Sequence, residues 1–311
     1  MSSIAHSSGS RLLVTGASGK LGRSVLDFLL AENAGPIIAT TRNPDHLKEY
    51  AAKGVEVRRA DFAGGDSSHK DLKDLGDLGD LSQAFSGADR ALLISTEPTP
   101  EPDGRLRQHL AAVKALEAAG VQHVVYTSLT NPHPGSPVSI APDHRKTEEA
   151  LAASSLGFTI LRNNLYIDLL LLGLPNALAT GKLVNARGDG KTAFITREDC
   201  ARVAAAALTA PFSGRRTLEI TGSEPLSSAE VAAIVSELAQ KPLAHVSAPP
   251  EVLRAALVEH KLPPYVAEML VTFDIAIAKG EFAAVTNAFE ELTGRAPQKV
   301  RDFLESQRLG A

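Results

Sequence analysis

The segment TGASGKLG (15–22) spaces Gly16, Gly19 and Gly22 three residues apart, directly after the β-branched run RLLVTG (11–16) and ahead of an amphipathic stretch. Each glycine has a use at such a junction. Gly16 permits a tight turn, Gly19 lets phosphates approach the backbone, and Gly22 lets a helix pack closely on a strand. A helix beginning near Lys20 aims unpaired N–H groups at the same spot, so Gly16, Ala17, Ser18, Gly19, Lys20, Leu21 and Gly22 form an anion cradle. Three glycines at this spacing are a weak signal alone. Between a strand and a helix they are a strong one for a dinucleotide.

The end of the next apolar run decides which dinucleotide. A site for NAD(H) usually carries an acidic residue there, to bind the ribose 2′-hydroxyl. This chain instead reads ATTRNP, with Arg42 in position and no acid before Asp45. A guanidinium binds a 2′-phosphate bidentately where a carboxylate would repel it, so NADP(H) is expected and NAD(H) is less favoured. Asp61 and Phe62 close the third run, on the adenine side. Ser95 and Thr96 close the fourth, on the ribose and nicotinamide side.

A group that protonates an alkoxide is harder to find. A tyrosine whose pKa is lowered by a lysine four residues on would serve. The four tyrosines, Tyr50, Tyr126, Tyr166 and Tyr265, are followed at that distance by Gly54, Thr130, Leu170 and Met269. In the helical stretch IAPDHRKTEEAL (140–151) stand His144 and, one turn on, Glu148. His144 titrates near neutrality and suits contact with the nicotinamide ribose, polarisation of a substrate oxygen, or proton transfer. The alternative is an exposed histidine at a helix start, with Asp143 as its cap. Glu148 reads as a surface or helix-stabilising charge. Ser128, Asn163 and Tyr166 end the fifth and sixth runs and are candidates to hydrogen-bond substrate or cofactor. Tyr126 reads as core, and Cys200, inside an alanine-rich helix, as a small buried apolar residue.

These residues need a frame. Runs at 36–41, 55–61, 90–96 and 121–129 alternate with helical patterns at 20–33 and 105–120. Apolar strands separated by helices imply a Rossmann-type, doubly wound parallel sheet covered on both faces. A disordered leader is expected over 1–10, and the nucleotide-binding core over 11–153. From 154 the pattern becomes a sixth strand (158–164) and a smaller, mixed, mostly helical substrate lobe. Within that lobe GKLVNARGDGKTAFI (181–195) reads as a hairpin and LYIDLLLLGLPNALA (165–179) as a buried helix. Thr196 begins another helix with a capping-box-like start, and a serine caps the helix at 226–240. The acidic, glycine-broken DL repeats between 64 and 80 read as a surface excursion.

Bulk composition narrows the classes. A formal charge of −4 with no basic run argues against nucleic acid. One cysteine rules out an internal disulfide and suits a reducing compartment, and no stretch has the apolar length of a membrane span. With no secretory signal pattern, a cytoplasmic protein is expected. The nine histidines show no clustered metal-ligand pattern. The composition leaves room for a homodimer.

The order VTGASGKLG, TTRNP, RRADF, LLIST, VVYTSL, DHRKTEEAL and LRNNLY resembles the NmrA-like atypical short-chain dehydrogenases/reductases. Within them it is most similar to the type 2 NAD(P)H:quinone oxidoreductases and the triphenylmethane reductases. The similarity continues through TREDCARVAAAAL to LTGRAP, nearly the whole chain, and the DL-rich insertion departs from it. The resemblance implies NADP(H) on the glycine turn and Arg42, and a nicotinamide pocket closed by His144 and the Asn163–Tyr166 segment.

A quinone or conjugated aromatic acceptor also answers the missing acid. Hydride addition to a ketone leaves an alkoxide comparable to hydroxide, whereas a quinone leaves a phenolate-like oxyanion. The gap of roughly 6 pKa units is on the order of 8 kcal/mol less charge to stabilise. A cationic dye needs no proton at all. The expected activity is therefore hydride transfer from NADPH to a quinone or related aromatic. A redox sensor that binds NADP(H) without turnover, and a tailoring reductase of aromatic polyketides or dyes, are the alternatives.

Overall fold

The computed structural model describes residues 9–63 and 78–309. Strand β1 (Leu12–Val14) enters α1 (Lys20–Ala31) through the glycine turn. There follow β2 (Ile37–Thr41), α2 (Lys48–Ala51), β3 (Glu56–Arg59), α3 (Gly79–Phe85), β4 (Arg90–Leu93), α4 (Gly104–Ala118), β5 (His123–Leu129), α5 (Ala141–Ala153) and β6 (Gly157–Asn163). The rest comprises α6 (Leu170–Thr180), β7 (Lys182–Asn185), β8 (Lys191–Thr192), α7 (Arg197–Thr209), β9 (Arg215–Ile220), β10 (Leu226–Ser227) and α8 (Ser228–Ala239). After these come β11 (Ala244–Ser247), α9 (Pro250–Glu259), α10 (Pro264–Ala278), α11 (Ala288–Thr293) and α12 (Val300–Ser306).

Seven strands make one parallel sheet in the order β3-β2-β1-β4-β5-β6-β9. Every residue of β1, β2, β4 and β5 is buried, as strands covered on both faces must be. The order reverses between β1 and β4, and ligands of such sheets bind beyond the carboxyl ends of the strands at that reversal. The expected doubly wound fold is thus present.

The described chain forms two compact, interleaved units. The first takes the residues up to Ser128, then Asp143–Arg162 and Cys200–Leu218. Its core includes Leu13, Phe85, Leu93, Leu116, Val124 and Tyr126. The second takes Leu129–Pro142, Asn163–Asp199 and Glu219 onward. It is mixed and mostly helical, around Ile167, Phe194, Val235 and Leu304. Ser227 caps α8 in a full capping box with Glu230, and Thr196 Oγ1 accepts the Asp199 N–H, as the sequence suggested.

Two expectations for the second unit are corrected. Residues 181–195 do not form a hairpin, because β7 pairs with β11 in parallel and β8 pairs with β10. The intervening GDG segment packs on α10 instead, where a Cβ on Gly190 would lie 2.2 Å from the Ile277 carbonyl oxygen. Asp274 of α10 accepts the Ala186 N–H at 2.9 Å and Arg187 Nε at 2.6 Å, which fixes that course. The apolar helix α6 is not wholly buried either. It buries Leu174 and Ala177 and leaves Leu172 79% exposed. The leader up to residue 8 and most of the DL-rich stretch, 64–77, lie outside the described residues. Among the described residues, no helix is long and apolar enough to cross a membrane.

Candidate functional site

The glycine turn has the geometry that its spacing implies. Gly16 sits at φ +57°, a left-handed conformation costly for other residues. A Cβ on Gly22 would lie 2.6 Å from the Gly16 oxygen and 2.7 Å from the Ala17 Cα, so only glycine allows this helix–turn contact. Gly19 caps α1 without any side-chain hydrogen bond, and no acidic residue stands in the first turn. The opening N–H groups of α1, from Lys20, Leu21 and Gly22, have no intrahelical acceptor, and they favour an anion. Ala17 is buried, its N–H on the Thr40 carbonyl at 3.0 Å.

Ser18 links this turn to the end of β2 through a 2.8 Å bond between its hydroxyl and that of Thr41. The next residue, Arg42, is exposed and makes no hydrogen bond or ion pair among the described residues. By contrast Arg23 is committed, to Glu49 and to the Ser18 carbonyl. Asp61 and Phe62 follow β3 after Ala60. Asp61 accepts the Ala63 N–H at 3.1 Å, and Phe62 meets Phe85 edge-on at 6.1 Å.

The segment leaving β4 turns its peptide donors inward. The Ile94 N–H goes to Thr15 Oγ1 at 3.0 Å, Ser95 N–H to Thr127 Oγ1 at 2.9 Å, and Thr96 N–H to His109 Nε2 at 3.0 Å. The Thr96 carbonyl accepts Arg105 Nε at 2.7 Å. Residues 94–96 can therefore offer a ligand oxygen atoms but no peptide N–H.

His144 is buried, 4% exposed, and both its ring nitrogens have side-chain partners. Arg105 Nη2 lies 2.9 Å from its Nε2, and a guanidinium only donates, so Nε2 accepts and the proton sits on Nδ1. That N–H donates to Tyr126 Oη at 2.9 Å. Thr147 Oγ1 donates its proton to the Asp143 carbonyl at 2.6 Å. His109 follows the same logic. Its Nε2 accepts the Thr96 N–H, so Nδ1 carries the proton and donates to Thr147 Oγ1 at 3.1 Å. Burial, then the charge of Arg105, holds both imidazoles well below the ordinary histidine pKa. Burial raises the Tyr126 phenol well above its usual range. Asp143 Oδ2, 3.4 Å from Arg105 Nη1, supplies the counter-charge.

Glu148 is not a surface charge. It is buried and accepts the Ser128 hydroxyl at 2.6 Å, together with Arg162 Nε at 3.0 Å and Nη2 at 2.6 Å. The single Ser128 proton points at the carboxylate, so toward anything else this hydroxyl is an acceptor. In the second unit, Asn163 Nδ2 donates to Tyr166 Oη at 3.2 Å, while its buried Oδ1 has no hydrogen-bond donor. Arg197 stacks over the Tyr166 ring, 5.5 Å from its centre.

The fold thus gathers His144, Ser128, Ser95 and Thr96 with Arg105 and His109, two residues the sequence reading passed over. Their signal was the run RLRQHL, which puts Arg105 and His109 four apart on one helix face. Nothing in that spacing distinguishes a buried face from a solvated one.

A family model described as NAD(P)H-binding matches residues 16–211, from the first glycine of the turn to just beyond α7. The chain belongs to this NAD(P)H-binding family. Its members' nucleotide would meet the glycine cradle, whose close helix–turn contact and unpaired first-turn N–H groups fit the group. Quinone oxidoreductase 2 of Escherichia coli strain K12 is 32% identical over 91% of this chain and 93% of its own length. The crystal structure of an NADPH-dependent quinone oxidoreductase from the same species, complexed with NADPH, superposes with a TM-score of 0.85. It is 30% identical and covers 95% of this chain and 99% of that one. Triphenylmethane reductase of Citrobacter sp., complexed with NADP(H), gives a TM-score of 0.83 at 30% identity, over 96% and 100% of the two chains.

Proposed function

We propose that this NAD(P)H-binding protein is a reductase that uses NADPH to transfer hydride to quinones or related conjugated aromatic acceptors. One observation carries the reading. A nucleotide cradle stands in a unit where His109 and His144 are neutral with their protons committed, and the Tyr126 phenol is buried with a raised pKa. These three groups are poorly suited to protonate an alkoxide. The unit suffices for an acceptor whose reduction leaves a phenolate-like oxyanion, which water protonates. The quinone and triphenylmethane activities that name the relatives support the same class of acceptor.

Bound NADPH supplies the hydride. The chain's own part is to bind and orient. The first-turn N–H groups of α1 hold the diphosphate, and Arg42 takes the 2′-phosphate and so selects NADPH over NADH. The oxygens at Ser95 and Thr96 accept sugar hydroxyls, and Asn163 Oδ1 accepts the carboxamide, with Tyr166 fixing the asparagine. Ser128 accepts a further ligand hydroxyl or N–H, and His144 orients Arg105 without meeting substrate.

The test is NADPH consumption by purified protein across benzoquinones, naphthoquinones and a cationic triarylmethane dye, beside simple ketones. Turnover confined to the quinones and dye is expected. Preferred reduction of ketones, or no turnover with any acceptor despite NADPH binding, would overturn the reading.

A further inference from the structure

The polar cluster behind the β4 segment is larger than stability requires. Arg105, His109, His144 and Thr147 are each under 5% exposed, and buried polar groups give little net stability over well-packed apolar ones. What a fully satisfied network does give is a single fixed geometry. Here that geometry converges on one residue. Thr96 is held through its N–H by His109 and through its carbonyl by Arg105, and its hydroxyl lies 3.2 Å from His109 Nε2. The start of α4 is pressed against the same loop, where a Cβ on Gly104 would lie 2.5 Å from Thr99 Oγ1.

We propose that Arg105 and His109 are positioning residues, which clamp the Ile94–Thr96 segment as an oxygen-only face for the nicotinamide-side sugar. This rests on the nucleotide reading above. Sugar hydroxyls can donate to such a face, whereas a phosphate finds no peptide N–H donor there. The glycine turn has the opposite polarity, with N–H groups and no acidic side chain in its first turn. The two together favour one direction for a bound dinucleotide. His144 enters by holding the Arg105 fork in plane, with the Tyr126 hydroxyl behind it. Each imidazole receives an obligate donor on Nε2, so neither takes a second proton without opening the clamp. The charged groups facing the cluster are Arg105 itself, Asp143 and Glu148.

The test compares the unaltered protein with His109→Leu and His109→Gln. NADPH affinity is read by fluorescence titration, and the ring nitrogen shifts of His109 and His144 are followed by NMR in the nucleotide-free protein from pH 8 to pH 5. Both rings are expected to remain neutral with the proton on Nδ1. His109→Leu is expected to weaken NADPH at least about tenfold, the equivalent of one buried hydrogen bond. His109→Gln, whose amide oxygen can replace Nε2 as acceptor, should stay within about threefold of the original. Unchanged affinity in His109→Leu, or either ring titrating near its ordinary value, would overturn the clamp while leaving the nucleotide reading intact. Absence of NADPH binding by the unaltered protein would sink both. If His109→Leu does not fold, the ring shifts and the glutamine variant still decide.

Discussion

Ser128 Oγ lies 2.6 Å from Glu148 Oε1, and the same carboxylate is gripped by two nitrogens of Arg162. The carboxylate thereby fixes both the direction of a hydroxyl at the end of β5 and a cation on β6. Glu148→Ala removes the acceptor of the Ser128 hydroxyl and of two Arg162 nitrogens. The expected loss is about 2 kcal/mol, below the range for a wholly buried pair because Arg162 is only half-buried. Ser128→Ala leaves the ion pair and should cost about 1 kcal/mol. Urea denaturation of the two variants checks the order; equal losses would show that the hydroxyl and not the ion pair dominates.

Arg42 is exposed, adjacent to the Ser18–Thr41 bridge, and without a protein partner among the described residues. A guanidinium in that state is available to a 2′-phosphate. Arg42→Ala should raise KM for NADPH by about 10- to 100-fold, the loss of one charge-assisted contact, and leave NADH unaffected. Steady-state kinetics with both nucleotides decide it. Equal effects on the two would remove Arg42 from cofactor selection.

Acid should destabilise the apo protein earlier than its carboxylates alone require. His123, buried beside Arg90 and Arg216, has its pKa lowered to about 4, burial being the main cause. His109 and His144 are lowered as well. Below the unfolded histidine pKa of about 6.5 the unfolded chain binds protons that the folded chain refuses. Stability is therefore full above that pH and falls as pH drops toward 4, by at most about 1.4 kcal/mol per pH unit for each of the three. Thermal denaturation from pH 8 to pH 5 should show this slope, reduced in His123→Gln. A flat profile would contradict the buried, neutral histidines.

The sheet and the cradle were legible because they rest on local signals. The run RLLVTG ends at Gly16, and the clash a Cβ would meet at Gly22 is the reason for glycine there. Thr196 and Ser227 likewise announced their helices by short-range capping. His144 was legible as a residue of interest and not in its surroundings. Its partners Arg105 and Tyr126 lie 39 and 18 residues away, and the tautomer is set by that tertiary contact. Glu148 misled for the same reason, since a carboxylate on a helix is usually solvated and only Ser128 and Arg162 make its burial tolerable. The strand pairing of 181–195 failed because β11 and β10, the true partners, are remote in sequence and no turn motif points to them.

The route of the polypeptide through its two units has a practical meaning for anyone cutting the gene. A fragment stopped near residue 153 keeps the glycine turn and Arg42 but forfeits β6 and β9, which close one side of the sheet. It would leave β5, whose seven residues are all buried in the whole protein, as an open margin with its hydrogen-bonding row unmet. Such a piece should clump on expression. A minimal cofactor carrier would have to retain β6, α7 and β9, with the second-unit residues between β6 and α7 replaced by a short splice.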